Sequence, residues 1–355
     1  MRLSSVEVIP YALPFKEAYV TARGVLERRE MVLLRVRDED GVVGLGEAVP
    51  LALRGGVGLA EVVRELEGWR ENRGVVGLSA PSRCAIATAE MDLLGRRAAG
   101  PASASGSDEA VPCNATLVAG APDEVAAQAL RWAEDGFTTF KLKLGAETAG
   151  VHRIGGSSRS RDVGTVEAVR RAVEAEARIR VDVNEAWDLE TAKRTLVELE
   201  PLGVELAEQP VAGLEAMAEL AASTSIPLAA DESVATLEEA ERAAALGACE
   251  FTGIKLSKVG GPEEALAIAD VLPAYVTSAL DGPVGIAAAA QVALSLAETG
   301  HPERLHLAHG LATQRLFAET IASVECEVRG GMLHLPPGPG LGIEIDEEAL
   351  QAHRI

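Results

Sequence analysis

The sequence predicts an α/β protein: a modified (β/α)8 barrel with an α+β capping domain built from the N-terminal segment and the C-terminal tail. Three observations predict it. From Val111 onward, short apolar runs alternate with amphipathic helical stretches, eight βα units in about 210 residues, the cadence of a closed parallel barrel. The first hundred residues lack that cadence and mix strands with helices. After the eighth unit, VECEVRGGMLHLPPGPGLGIEID (324–346) is again β-like and turn-rich, and is expected to return to the N-terminal segment. A doubly wound open sheet, the alternative, would carry a Gly-rich phosphate turn after its first strand, and none is present.

In chain order, VEVIPYAL (6–13) alternates, and MVLLRVRDEDGVVGLGEA (31–48) reads as a hairpin through an Asp-Gly turn. Helices are expected at 58–69 and 81–98, and AAGPASASGSDEA (98–110) separates them from the barrel units. The barrel strands are CNATLV (113–118), TFKLKL (139–144), IRVDVN (179–184), VELAEQ (204–209), PLAADE (227–232), FTGIKL (251–256), YVTSAL (275–280) and RLHLAH (304–309). The run GAETAGVHRIGGSSRSRD (145–162) is polar and too long for an ordinary βα loop, and reads as a solvated excursion. The organisation is therefore a cap over 1–110, a barrel over 111–322 and a returning tail over 323–355.

Composition narrows the function. The chain has 355 residues, 48% apolar, enough for a large buried core, and a formal net charge of −21 that repels phosphate backbones, so no nucleic-acid partner is expected. No run of 18 apolar residues exists, and no membrane association is expected. The N-terminus lacks a signal peptide's layout, and Cys84, Cys113, Cys249 and Cys326 are scattered like reduced buried thiols, so a cytoplasmic location is expected. Lysine is the telling residue. It supplies only six of the 33 basic residues, and four of the six stand in two apolar strings, FKLKLG (140–145) and GIKLSK (253–258). A chain that uses arginine for plain positive charge retains lysine where a proton must come off near neutral pH. Lysines snorkelling from strand ends are the bland alternative.

In such a barrel, chemistry sits at the C-terminal ends of the strands. There the sequence places Lys141 and Lys143, then Asp182 and Asn184, Glu208, Asp231 and Glu232, and Lys255. The acids Asp182, Glu208 and Asp231 succeed one another at intervals of one βα unit, with lysines on the strands at either side. Three converging carboxylates repel one another unless a cation sits among them. Oxygen donors suit Mg²⁺ or a similar hard divalent ion, whereas zinc would want His or Cys, and neither occurs at these positions. A metal flanked by lysines is matched to removing a proton beside a carboxylate, because the charge that develops falls on the metal.

The strings FKLKLG, RVDVNEAW, AEQPV, LAADESV and GIKLSKVGG, with TARGVLERRE and VGLGEAVPL in the cap, resemble the enolase superfamily and within it the muconate-lactonizing-enzyme subgroup. The resemblance covers nearly the whole chain. It implies that Asp182, Glu208 and Asp231 bind Mg²⁺, with Mn²⁺ able to replace it, around an ene-diolate intermediate. It implies that Lys143 is the acid/base on one face of a small-molecule carboxylate and Lys255 the acid/base or cationic stabiliser on the other. Lys141 would lower the pKa of Lys143, and Asn184 and Glu232 would support the ligands from behind. Two mobile cap elements, Phe15–Gly24 with Arg23 and Pro50–Gly56, would close over the substrate and select it.

Among the subgroup's reactions, YVTSALDGPVGIAAAAQVALSL (275–296) and HGLATQRLFAE most resemble o-succinylbenzoate synthases, the syn-dehydratases of menaquinone synthesis. Ser278 and Gly282, at the start of a helix, would then receive the succinyl carboxylate on backbone N–H groups. N-acylamino acid racemases, dipeptide epimerases and muconate cycloisomerases are the alternatives on the same scaffold. HLAHGLA (306–312) lacks the acid pair with which dipeptide epimerases hold an ammonium group. A catalytically silent metal-binding barrel is the rival of a different class, and the retained lysines count against it. A homo-oligomer is expected.

Overall fold

The computed structural model describes residues 2–21, 24–50, 52, 55–100, 110–145, 158–298 and 307–355. β1 (Leu3–Thr21), β2 (Gly24–Asp38) and β3 (Val43–Ala48) form an antiparallel sheet, with α1 (Leu59–Asn72) and α2 (Ala80–Arg97) after it. The period of two in MVLLRV divides the sheet between two cores. Val32, Leu34 and Val36 pack with Val62, Leu66 and Trp69 of α1 and with Ala85, Ala89 and Leu93 of α2. Met31 and Leu33 join Ile9, Tyr11, Leu13 and Leu45 in the core that continues into the barrel. The expected Asp-Gly turn is present, with Asp38 Oδ1 accepting the N–H groups of Asp40 and Val42 and Gly41 at φ 85°.

β4 (Ala110–Pro112) leads into the βα units: β5 (Ala115–Leu117), α3 (Pro122–Glu134), β6 (Thr139–Lys143), α4 (Ser158–Ala172), β7 (Arg178–Asp182), α5 (Leu189–Leu199), β8 (Val204–Glu208), α6 (Leu214–Ala221), β9 (Leu228–Ala230), α7 (Leu237–Leu246), β10 (Phe251–Ile254), the short α8 (Leu256–Val259), α9 (Pro262–Val271), β11 (Ala274–Val276) and α10 (Pro283–Glu298). Strands β5 to β11 pair in parallel in sequence order. The expected eighth strand is not a regular one among the described residues. Residues 304–306 lie outside them, and closure rests on two bridges, His309 to Cys113 and Gly310 to Thr277. The closure is tight. His309 Nδ1 accepts the Val276 N–H at 2.9 Å, and a Cβ at Gly310 would stand 2.4 Å from Thr277 Oγ1.

The excursion expected over 145–162 is also corrected. Residues 146–157 lie outside the described set, but α4 begins at Ser158 and the run's last residue, Asp162, is buried rather than solvated. Its carboxylate accepts the Gly145 N–H at 3.2 Å and the Trp187 indole N–H at 3.0 Å, tying the end of β6 to the segment after β7.

The tail comprises β12 (Ala322–Val324), β13 (Glu327–Arg329), β14 (Met332–His334), β15 (Glu344–Ile345) and α11 (Glu347–His353). It reaches the N-terminal sheet and α2 as expected: Ile355 N–H donates to the Pro10 carbonyl of β1 at 3.3 Å, and Leu341 N–H to Asp92 of α2 at 2.7 Å. It does more than that, because β14, paired on its other side with β13, adds to β4 at the barrel's N-terminal end. No helix among the described residues is long and apolar enough to cross a membrane.

Gly44 and Gly46 let α2 lie directly on β3, since a Cβ on Gly46 would stand 1.9 Å from the Ala85 carbonyl oxygen. Gly46→Ala is therefore expected to destabilise the protein by about 2 kcal/mol, read as a lower urea midpoint at unchanged slope.

Candidate active site

Strand alternation builds the site. In FKLKLG, Phe140, Leu142 and Leu144 enter the main core, which leaves Lys141 and Lys143 on the lumen side; Ile179, Val181 and Val183 do the same for Arg180, Asp182 and Asn184. A small apolar plug of Leu206, Ala229, Tyr275 and Leu307 fills the lumen. The ladder pairs Lys143 with Asp182, Asp182 with Glu208 and Glu208 with Ala229, so the first three stand level and Asp231 lies two residues past Ala229, just beyond the end of β9.

All four lysines of the two apolar strings end on the three acids. Lys141 Nζ lies 2.7 and 2.6 Å from the two oxygens of Glu208 and 2.8 Å from Asp182 Oδ2. Lys143 Nζ donates to Asp182 Oδ2 at 2.5 Å and to Asn184 Oδ1 at 2.9 Å. Lys255 pairs with Asp231 Oδ2, and Lys258 donates to Asp231 Oδ1 at 3.0 Å. Asn184 Nδ2 donates to Glu232 Oε1 at 2.9 Å, so both expected supporting residues join the cluster. Lys258 was not singled out by the strand-end spacing, although it belongs to the same lysine-bearing string.

The acids are buried, at 0%, 1% and 0% exposure for Asp182, Glu208 and Asp231. Burial alone would push the Asp182 carboxyl up, but Lys141 and Lys143 hold it well below the usual carboxylate range. Burial, with Asp182 close by, raises Glu208. For Lys141, burial acts against the charge, and the Asp182 and Glu208 carboxylates outweigh it and raise the ammonium's pKa. Lys141 is thus firmly charged, a neutraliser of carboxylates in this arrangement. Among the described residues no three acidic, histidine or cysteine side chains are arranged to cage an ion, because each carboxylate is turned onto a lysine. The exception is Asp182 Oδ1, which is buried and accepts no hydrogen bond.

Gln209 staples two strand ends. Its Oε1 accepts the N–H groups of Asp231 and Ser233, at 2.9 and 3.1 Å, and its Nε2 donates to the Val211 carbonyl at 2.9 Å. Below the acids, Tyr275 donates to Glu208 Oε2 at 2.5 Å; burial pushes this phenol well above its ordinary pKa, so it stays a donor. Sequence reasoning missed both. The available signal for Tyr275 was its rarity, one of three tyrosines in the chain.

The expected substrate-binding group needs correction. Arg23 lies outside the described residues, as do 22, 51, 53 and 54 of the two cap elements. Phe15 is buried, its ring stacked on Tyr19 and Phe317 at centroid distances of 5.6 and 4.9 Å. The Gly282 N–H is already taken: it donates to Glu47 Oε1 of β3 at 2.6 Å, while Tyr11 O–H donates to Glu47 Oε2 at 2.8 Å. Ser278 and Asp281 bond to each other at 2.7 Å, and Asp281 also accepts the Ala279 N–H. A carboxyl group does sit at this helix start, but it belongs to the protein.

Residues 124–349 match the enolase C-terminal domain-like family. The chain belongs to that family and is an enzyme of the enolase superfamily. Its relatives place it in the muconate-lactonizing-enzyme subgroup. It is similar to an o-succinylbenzoate synthase from Thermobifida fusca, 38% identical over 211 residues that cover 59% of this chain and 61% of that one. It is similar to the muconate lactonizing enzyme from Pseudomonas fluorescens solved with muconolactone, with a TM-score of 0.89, 28% identity, and coverage of 100% of this chain and 99% of that one. A dipeptide epimerase from Enterococcus faecalis, solved with Mg and L-Leu-L-Tyr, shares the fold, with a TM-score of 0.87 at 24% identity over 97% of this chain and 100% of that one.

Burial, with Asp281 nearby, raises the Glu47 carboxyl from its ordinary 4.5 to about 8. A carboxyl raised on folding stabilises the native state below pH 4.5, and this contribution is lost as pH rises through about 8. Glu47→Gln is expected to flatten that fall in urea midpoint between pH 5 and 8; an unchanged slope would contradict the assignment.

Proposed function

We propose that this chain is a divalent-metal-dependent o-succinylbenzoate synthase, acting on 2-succinyl-6-hydroxy-2,4-cyclohexadiene-1-carboxylate by syn-dehydration. The observation that carries the proposal is the pair of lysines at opposite ends of the acid trio, Lys143 on Asp182 and Lys255 on Asp231. The identity to the Thermobifida fusca synthase supports the choice among reactions.

In this reading the neutral amine of Lys143 removes the proton α to the substrate carboxylate. The resulting ammonium returns that proton to the hydroxyl on the adjacent carbon, which leaves as water with the C–O electron pair while the ring becomes aromatic. Lys255 holds the developing negative charge from the other side. Asn184 orients Lys143 by accepting from its Nζ, and Lys141 offsets the charge of Glu208 and Asp182. Asp182, Glu208 and Asp231 would hold the cation, Mg²⁺ or Mn²⁺. The all-oxygen donor set and the unpaired, buried Asp182 Oδ1 fit a hard divalent ion. When bound, the cation supplies Lewis-acid stabilisation of the substrate's carboxylate charge.

The proposal keeps Arg23 as a substrate-binding residue and assigns Ser278 and Gly282 to shaping the loop. It includes the division into cap (1–110), barrel (111–322) and tail (323–355), supported by the tail's bonds to β1 and α2. It also includes a homo-oligomeric state.

A second reading rests on the same lysine pair. Two lysines on opposite sides also suit racemisation of an N-acyl amino acid, each exchanging a proton on its own face. Assays on the cyclohexadiene carboxylate and on N-succinyl amino acids in D₂O separate the two readings. Dehydration that falls at least about 10³-fold in Lys143→Ala is expected. Racemisation with deuterium entering from both faces, and no dehydration, would overturn the synthase reading.

Metal removal gives an independent check. Chelation is expected to abolish activity, with recovery on Mg²⁺ or Mn²⁺, while the melting temperature changes little because lysines already neutralise the buried acids. Full activity after exhaustive chelation would sink the metal assignment.

A further inference from the structure

We propose that Tyr275 is a positioning residue that orients Glu208 for the cation, an inference that rests on the metal reading above. Tyr275 stands on β11 and Glu208 on β8, with β9 and β10 between them, so this contact joins separated walls of the lumen. Its hydroxyl meets Glu208 Oε2, whose other neighbour is Lys141 Nζ at 2.6 Å. Oε1 has Lys141 as its one hydrogen-bond partner among the described residues, at 2.7 Å. The two oxygens of Glu208 are thus made unequal: Oε2 is held from two sides, and Oε1 is the oxygen left to reach a ligand.

The ring is built in rather than incidentally close. It is fully buried, in the apolar plug with Leu206, Ala229 and Leu307. The Arg180 guanidinium lies 5.2 Å from its centroid. Arg180 is itself fixed, through Nε to Glu205 Oε2 at 2.5 Å and through Nη1 to the Ala308 carbonyl at 2.6 Å. On the intervening β10, Gly253 leaves room for the phenol; a Cβ there would stand 3.3 Å from its oxygen and 3.4 Å from Cζ. A tyrosine clamped in this way holds a carboxylate in one rotamer, and outer partners of this kind typically set metal affinity by ten- to a hundredfold.

The test is calorimetric titration of Mn²⁺ into the metal-stripped full chain and into Tyr275→Phe, with melting temperatures measured alongside. The phenylalanine variant is expected to melt within a few degrees of the parent and to bind Mn²⁺ roughly tenfold more weakly. Its activity is expected to recover as Mn²⁺ is raised, which a general packing defect would not produce. Gly253→Ala, which displaces the hydroxyl without removing it, is expected to weaken Mn²⁺ binding in the same direction and stands in if Tyr275→Phe does not fold. Mn²⁺ affinity within twofold of the parent in a folded Tyr275→Phe overturns the inference and leaves the metal reading intact. A parent chain that binds no Mn²⁺ removes both.

Discussion

Three carboxylates with no access to water, each answered by lysine, are the constraint around which this barrel is arranged. Taking an ion out of water costs several kcal/mol even after relaxation, and only close opposite charge offsets it. Asp182, Glu208 and Asp231 meet that condition through four ammonium groups, two from β6 and two from the end of β10 and the short α8 that follows it. Removing Lys141 would leave Glu208 without an ammonium partner, so the lysine strings serve the stability of the lumen as well as its chemistry. The cluster is poised between two ways of being neutralised, by internal ammonium groups or by an external cation.

The rest of the wall keeps that balance in place. Alternation directs one set of strand residues to the helices and the other to the lumen. The apolar plug around Tyr275 closes the lumen below the acids. Gln209 joins the ends of β8 and β9, and the Asn184–Glu232 contact joins β7 to the segment after β9, so the acids cannot drift independently. Residues immediately beyond the strands adopt positive φ, 49° at Asn184 and 39° at Gln209, which turns the chain sharply at the mouth.

How much of this was legible in the sequence depended on whether a feature was local. The strands carrying Lys141, Asp182, Glu208 and Lys255 could be read because period two writes both faces into five residues. Scarcity of lysine marked the cluster, and the strand-end spacing gathered its members. Features set by distant partners could not be read. Glu47 fills the helix start near Gly282 from 235 residues away, so the groove expected for a substrate carboxylate was already occupied. Tyr275 looked like an ordinary strand aromatic because its partner lies across the lumen. Asp162 looked solvated because its partner, Trp187, is in the next βα unit. The eighth strand looked regular because its sequence alternates, whereas closure uses a histidine ring and a glycine.

The Glu47 contact has a consequence for how such proteins diversify. The sheet that covers the barrel supplies the acid seated at the first turn of α10, and the barrel supplies the amide it needs. The two pieces are therefore complementary parts of one polar joint. A covering sheet transplanted from a cousin lacking this acid would leave bare amides at the seam, so lineages that remodel the cover to suit new substrates must keep the joint or rebuild both halves together.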